Sequence, residues 1–189
     1  MTAPHEIQPQ THALPGVVAA IPELRTDRLV LRAPQLSDFP TLIDIDFSVA
    51  ETSRRGERSR EDSWYEFTQM TATWIWRGHG WWTVCDDQGA AGFVGLGFEP
   101  GDQAPELGYL FLPRARGLGY ATETATAARD FARDTLKLAA LVSYISDTND
   151  ASRNVARKLG AARDSDAEAA LRAVGEEGVQ VWRHWGQIT

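Results

Sequence analysis

One carboxylate, one glycine-broken basic turn and one polar helix start hold most of the chemistry that can be read from this chain. Glu106 opens an apolar stretch that ends at Leu112 and runs into Arg114, Ala115, Arg116, Gly117, Leu118 and Gly119, after which a helical segment begins at Tyr120. A strand, a turn and a helix in that order can hold an anion. Gly117 and Gly119 admit backbone conformations closed to residues with a Cβ, so the amides of Leu118, Gly119, Tyr120 and Ala121 could converge on one point. First-turn amides have no partner within their own helix, and the helix dipole adds about 0.3–1 kcal/mol for an exposed anion. Arg114 and Arg116 bring two full charges beside them. Glu106 could accept a proton, directly or through water, once burial raises its pKa. Its plainer reading is a solvated strand end after Pro105.

Two alternatives compete for the turn. A surface turn with a capped helix explains the hexapeptide equally well by itself. A dinucleotide fingerprint fits less well, because its third glycine would fall on Thr122 and no acidic residue ends a following strand at the usual distance. Downstream, Asn149 reads locally as a helix cap and Ser152 as a first-turn residue.

The stretch from Arg114 to Gly119 resembles the acetyl-CoA motif of the GCN5-related N-acetyltransferase (GNAT) superfamily: Gln or Arg, two residues, Gly, any residue, then Gly or Ala. Gly119 to Glu123, reading GYATE, is similar to the branch that includes the ribosomal-protein N-terminal acetyltransferases. Leu24 to Leu42 resembles that branch's opening strand and helix, and Asn149 to Ala161 its second motif. Together these matches span about residues 24 to 185. The resemblance implies a mixed α/β (α+β) fold, with a mostly antiparallel central sheet flanked by helices and one parallel, splayed strand pair. It implies direct transfer of an acetyl group from acetyl-CoA, as cosubstrate, to a primary amine of an acceptor it does not identify, a protein N-terminus or a small molecule. Cofactor contacts would fall on Leu112, Arg114, Arg116, Gly117, Leu118, Gly119, Tyr120, Ala121 and Asn149. Glu106 would be the general base, with a strand amide at Leu107 or Gly108 stabilising the oxyanion. Many members protonate the leaving thiolate with a tyrosine on the second-motif helix. This helix has none, and Ser152 is the available substitute. Ala161 stands where the motif usually has Phe. A non-catalytic acyl-CoA-binding module and another phosphate- or nucleotide-binding domain are the competing functions.

Composition narrows the field. At 189 residues and 43% hydrophobic, the chain suits one domain, here residues 23–189 after a flexible arm at 1–22 that holds four prolines. A formal charge of −7 and a pI near 5.1 argue against a nucleic-acid or anionic-membrane binder and favour a cationic acceptor. No apolar run is long enough to span a bilayer and no signal-like start is present, so a cytoplasmic protein is expected. The lone Cys85 provides no disulfide, and Asp86 and Asp87 beside it would raise its pKa; four scattered histidines suggest no metal site. The final strand and surface aromatics are compatible with a homodimer.

The elements that must position these groups follow from periodicity. A first strand is expected through Leu24, Leu29, Leu31 and Ala33, then a helix capped by Ser37. Glu51 to Asp62, with four arginines and four acids, reads as a solvated loop. A second helix is expected from about Glu61 to Arg77, its face formed by Trp64, Phe67, Thr71, Trp74 and Ile75. Strands near Trp81–Asp86, Ala91–Phe98 and Glu106–Leu112 form a meander. Ala121, Ala125, Ala128, Ala132 and Leu136 make a small-residue stripe on the next helix, which leads by a parallel crossover to a strand at Leu138–Ser146. Ala151, Val155 and Leu159 mark another helix that stops at Gly160, and Val179–Trp185 reads as the last strand. Trp81 and Trp82 must face opposite sides of the sheet. The outward ring, together with Tyr144 and Asp147, could line an acceptor pocket.

Overall fold

Alternating apolar and small residues from Trp81 to Phe111 build the centre of the molecule. The computed structural model describes residues 20–50 and 59–186, the side chains of 49 and 50 excepted. Among the described residues, the strands are β1 (Leu24–Arg25), β2 (Val30–Arg32), β3 (Trp81–Asp86), β4 (Gly89–Gly97), β5 (Glu106–Phe111), β6 (Leu141–Ser146), β7 (Ala162–Arg163) and β8 (Val179–Trp185). The helices are α1 (Phe39–Ala50), α2 (Arg60–Arg77), α3 (Tyr120–Asp134), α4 (Asp150–Lys158) and α5 (Ser165–Ala173). The strands form one sheet in the order β1-β2-β3-β4-β5-β6-β8-β7. Every pairing is antiparallel except β5 with β6, which α3 connects.

Two layers cover the sheet. On one face, Ala125, Ala128 and Ala132 of α3 lie on Trp82, Val84, Leu96, Leu107 and Leu141, the small side chains letting the helix come close. Beside them Ala156 of α4 packs with Ile145 and Trp182. On the other face, Phe39, Leu42 and Ile45 of α1 and Phe67 and Met70 of α2 enclose Phe93, while Ala167 and Leu171 of α5 pack on Val142 and Val181. Trp82 and Trp81 point to opposite faces, Trp82 into the α3 layer and Trp81 toward α1 and α2.

Several expectations are corrected. The first strand is two short strands joined by a turn in which Thr26 Oγ1 accepts the Leu29 N–H and Thr26 N–H reaches the Leu29 carbonyl, a reversal the Leu29–Leu31 alternation conceals. Ser37 is not a cap. It lies in a short 3-10 turn, Leu36–Asp38, which precedes α1 and in which Asp38 accepts the Gln35 N–H. Ile75 is exposed, and Ser63 and Met70 take the inner positions with Phe67 and Trp74. Sequence periodicity missed β7 and α5, because α5 buries a charge: Glu168 is 2% exposed, gripped by the Arg163 guanidinium and the Val181 N–H. The arm at 1–22 lies largely outside the described residues, but Ile21 packs on the core and the Pro22 carbonyl accepts the Trp82 indole N–H. Most of the charged loop also lies outside them. Ser59 and Asp62 form the capping box that starts α2. Among the described residues no helix is long and apolar enough to cross a membrane.

One buried carboxylate ties the opening segment to the sheet. Asp38, 2% exposed, accepts two bonds from the Arg32 guanidinium, one from Thr83 Oγ1 and one from the Gln35 N–H. Burial alone would raise its pKa, but these bonds outweigh burial and hold it low. Asp38→Ala would leave Arg32 without its charge partner, and a loss of roughly 3 kcal/mol is expected in urea unfolding. An unchanged midpoint would show that the network contributes nothing net.

Candidate active site

The decisive local event is that β5 and β6 part after a single bridge, Glu106 to Val142. The Val142 N–H reaches the Pro105 carbonyl, so a regular parallel ladder would next join the Tyr144 N–H to the Leu107 carbonyl. Ser143 Oγ takes that acceptor at 2.7 Å instead. His184 Nε2 lies 3.1 Å from the same hydroxyl. Burial, and secondarily Arg129, push this histidine down to about 4, so it is neutral and its Nε2–H donates to Ser143. Nδ1, buried and without a partner, is then the bare nitrogen.

The displaced Tyr144 N–H turns to the Glu106 carboxylate. Glu106 shares its face with Gly108 and Leu110, between the layer of α1 and α2 and that of α5. Its pKa is raised from 4.5 to about 7, first by burial and then by Asp102, with Glu99 adding a little, while the Tyr144 N–H opposes them. The loop before Glu106 is held in place. Asp102 accepts the Glu99 N–H at 2.6 Å, and the Tyr144 phenol accepts the Gln103 N–H at 3.1 Å. Trp81 lies flat beside this carboxylate, over Gly95 and Gly108. A Cβ at either glycine would meet its ring, at 2.4 and 2.7 Å.

On the opposite face Tyr109 spans the gap. Its hydroxyl donates to the Ser152 carbonyl at 3.3 Å and also lies against the Ser152 side chain. Burial raises its pKa, so the phenol keeps its proton. Asn149 Oδ1 accepts the Ser152 N–H at 3.0 Å and caps α4, and Gly160 takes a positive φ just past the helix end.

The turn between β5 and α3 begins with a 3-10 segment, Pro113–Ala115, and passes through Gly117 at φ 76° and Gly119 at φ 83°. Gly119 is the N-cap and cannot cap with a side chain. Helices α2, α4 and α5, by contrast, start on Ser59, Asn149 and Asp164 side chains. The first bond inside α3 is from the Glu123 N–H to the Gly119 carbonyl, so the amides of Tyr120, Ala121 and Thr122 have no intrahelical acceptor.

Residues 28–162 match the family model described as the acetyltransferase (GNAT) domain. The chain belongs to the GNAT acetyltransferase family. A solved acetyltransferase from Agrobacterium tumefaciens is 35% identical, with a TM-score of 0.77 over 89% of this chain and 96% of that one. The ribosomal-protein alpha-N-acetyltransferase RimL, in complex with coenzyme A, is 17% identical at TM-score 0.65, covering 86% of this chain and 97% of its own. The microcin self-immunity acetyltransferase MccE, in complex with acetyl-CoA and AMP, is 13% identical at 0.64, covering 87% and 94%. No curated protein matches the chain.

In this GNAT acetyltransferase, the expected site residues fall into two groups. Glu106, Ser152, Asn149 and the turn from Gly117 to Ala121 border the parted strands. Arg114 and Arg116, both exposed beside the turn, also bond to the protein. Arg114 pairs with Asp86 at 2.6 Å and donates to the Ala90 carbonyl, while Arg116 donates to the Phe111 carbonyl and Ser48 Oγ. Leu112 packs with the α1–α2 layer, and its N–H bonds to the Ala91 carbonyl. That bond sets the β4–β5 alternation, which turns the Gly108 N–H to Gly95 and the Leu107 N–H to the Val142 bridge. Neither amide is free for an oxyanion, and the Tyr109 N–H is the first beyond the bridge to face the gap. Tyr144 sides with Glu106, whereas the Asp147 N–H bonds to the Gly178 carbonyl. Cys85 is pushed up chiefly by burial. Tyr109, Ser143 and His184 were missed. Alternation could have placed Tyr109 across the sheet from Glu106, but nothing local marks its reach to α4.

The residues present fit a diphosphate-bearing thioester: two glycines at positive φ, space beside Gly117 where a Cβ would stand, an uncapped helix start and unpaired strand edges. The raised Glu106 also sets a stability test. Because the fold binds its proton more tightly than the unfolded chain does, its contribution is full below about 4.5 and lost as pH rises through about 7. The Glu106→Gln variant should therefore gain stability relative to wild type between pH 5 and pH 8, by up to about 3 kcal/mol, read from paired melting curves. A constant difference would place Glu106 in ordinary solvent.

Proposed function

We propose that this acetyltransferase takes its acetyl group from acetyl-CoA and passes it directly to a primary amine, with Glu106 as general base. The observation that carries the reading is a carboxylate titrating near 7, set where the only parallel strand pair among the described residues separates. A carboxylate of ordinary pKa would be a weaker base at neutral pH, and one much higher would stay protonated. The diphosphate is held by the amides of the Gly117–Ala121 turn, and the thioester arm runs along the unpaired edges of β5 and β6. The amine comes from the Glu106 face, where Glu99 and Asp102 favour a cation and Trp81 offers a flat apolar floor. Glu106 accepts a proton from the ammonium, the nitrogen attacks the carbonyl carbon, and the tetrahedral oxyanion lies within reach of the Tyr109 N–H. As the C–S bond breaks the nitrogen releases its second proton to solvent, and the departing thiolate takes one from the Tyr109–Ser152 pair on the other face, which solvent then restores; the family resemblance gave this role to Ser152 alone.

Thermal melting with acetyl-CoA, CoA, NAD and ATP is the direct test of the donor. Ligand at about 100 times its Kd adds roughly 2.7 kcal/mol, a shift of several degrees for a chain of this size. A shift with NAD or ATP and none with CoA or acetyl-CoA would overturn the reading. Gly119→Val forces a β-branched residue to φ 83° and should weaken acetyl-CoA binding at least tenfold. Glu106→Gln should lower turnover by about 10²–10⁴ with acetyl-CoA affinity nearly unchanged, read as thiol release over a panel of amines. In wild type kcat/KM should climb as pH rises through about 7, as Glu106 loses its proton. A variant with wild-type turnover across that range would remove Glu106 from the chemistry.

A further inference from the structure

Arg28 lies far from the turn in sequence, in the reversal between β1 and β2, yet its side chain ends on the turn. Nη1 donates to the Leu118 carbonyl at 3.0 Å. Nε and Nη2 donate to Glu123 Oε2 at 2.8 and 2.6 Å, and the Arg28 backbone N–H reaches Oε1 at 3.1 Å. Thr26 Oγ1 donates to the same Oε1 at 2.5 Å, and the guanidinium sits 5.0 Å from the centre of the Tyr120 ring. The reversal itself is bonded across Thr26 and Leu29. A rigid hairpin therefore grips the first turn of α3 and one carbonyl of the loop before it.

That carbonyl matters because of the group it shares a peptide with. In a trans peptide the Leu118 C=O and the Gly119 N–H point in opposite directions, so holding the oxygen toward the β1–β2 reversal turns the N–H away from it. Flipping this peptide would change ψ at Leu118 and φ at Gly119. Glycine accepts either sign of φ at little cost, so the backbone alone leaves the choice nearly open. An external donor is needed to settle it. The Glu123 fork neutralises Arg28, which leaves the guanidinium a geometric role and little spare charge.

We propose that Arg28 is a positioning residue for the donor-binding turn: by holding the Leu118 carbonyl it keeps the Gly119 N–H presented to the donor's diphosphate. The proposal rests on the reading that this turn binds that diphosphate. It requires the hydrogen-bonding fork and not merely the charge, since a lysine offers its three protons from one nitrogen and does not reproduce the separate placement of Nη1 on Leu118 and of Nε and Nη2 on Glu123.

Binding of acetyl-CoA and of S-acetyl-pantetheine, which lacks the diphosphate and the nucleotide, tests this by calorimetry on wild type, Arg28→Lys, Arg28→Ala and Glu123→Gln. Wild type should bind acetyl-CoA at least 100-fold more tightly than S-acetyl-pantetheine. Arg28→Lys and Arg28→Ala should both weaken acetyl-CoA about tenfold and leave S-acetyl-pantetheine within twofold of wild type. Glu123→Gln, which keeps Arg28 but loosens the fork, should move the same way by a smaller factor and serves if the Arg28 variants do not fold. Retention of wild-type affinity in Arg28→Lys, with loss only in Arg28→Ala, would make Arg28 a counter-charge and overturn the proposal. So would an equal loss for both donors, which marks general damage to the fold. A wild type that does not distinguish the two donors would instead overturn the diphosphate reading on which the proposal stands.

Discussion

A single hydrogen-bond substitution organises the centre of this molecule. The Ser143 hydroxyl occupies the Leu107 carbonyl that a regular ladder would give to the Tyr144 N–H. The strands cannot zip further, and the freed amide finds Glu106. Neutral His184 holds the hydroxyl from behind, and its low pKa keeps that contact independent of pH over the neutral range. A buried polar chain of this kind is costly unless its bonds are made, so it specifies one arrangement of the strands. The opening between β5 and β6 is therefore built into the sheet.

The opening separates two kinds of chemistry. Glu106 faces the layer of α1, α2 and α5 among acidic neighbours, whereas Tyr109 and Ser152 face α3 and α4. A group placed in the gap would be reached from both faces, one able to take a proton and the other able to give one. The same sheet supplies their opposed environments. Burial raises the carboxylate into the working range of a base, and burial keeps the phenol protonated. Glycine at 95 and 108 adds a third element, a floor low enough for the Trp81 indole to lie flat beside Glu106.

Much of this was legible in the chain. Gly117 and Gly119 announced the turn because positive φ is a local demand, met by residue type alone, and Glu106 stood out as a carboxylate opening an otherwise apolar strand. The meander, α2, α3 and the last strand were readable because alternation and helical period register burial over a few residues. The charges were less legible. Arg114 and Arg116 read as ligands for an anion, and nothing in the sequence signalled the bonds they also make to Asp86 and to the carbonyls of Ala90 and Phe111. A guanidinium on a long side chain can find its partner in any direction, so its position in sequence says little about its target.

Residue types and spacing by themselves determined the parts that depend on near neighbours: where the backbone must take positive φ, which faces are apolar, where helices start and stop, and hence the family likeness. The tertiary structure alone decided the contacts between distant segments. Ser143 on Leu107, Tyr109 on Ser152, Arg28 on Leu118 and Asp38 on Thr83 each join residues from different elements. Their geometry is set by how whole elements pack, and no local propensity encodes it. The Glu106 pKa belongs to the same class, because desolvation and the field of Asp102 exist only once the sheet, loop and helices have closed around the carboxylate.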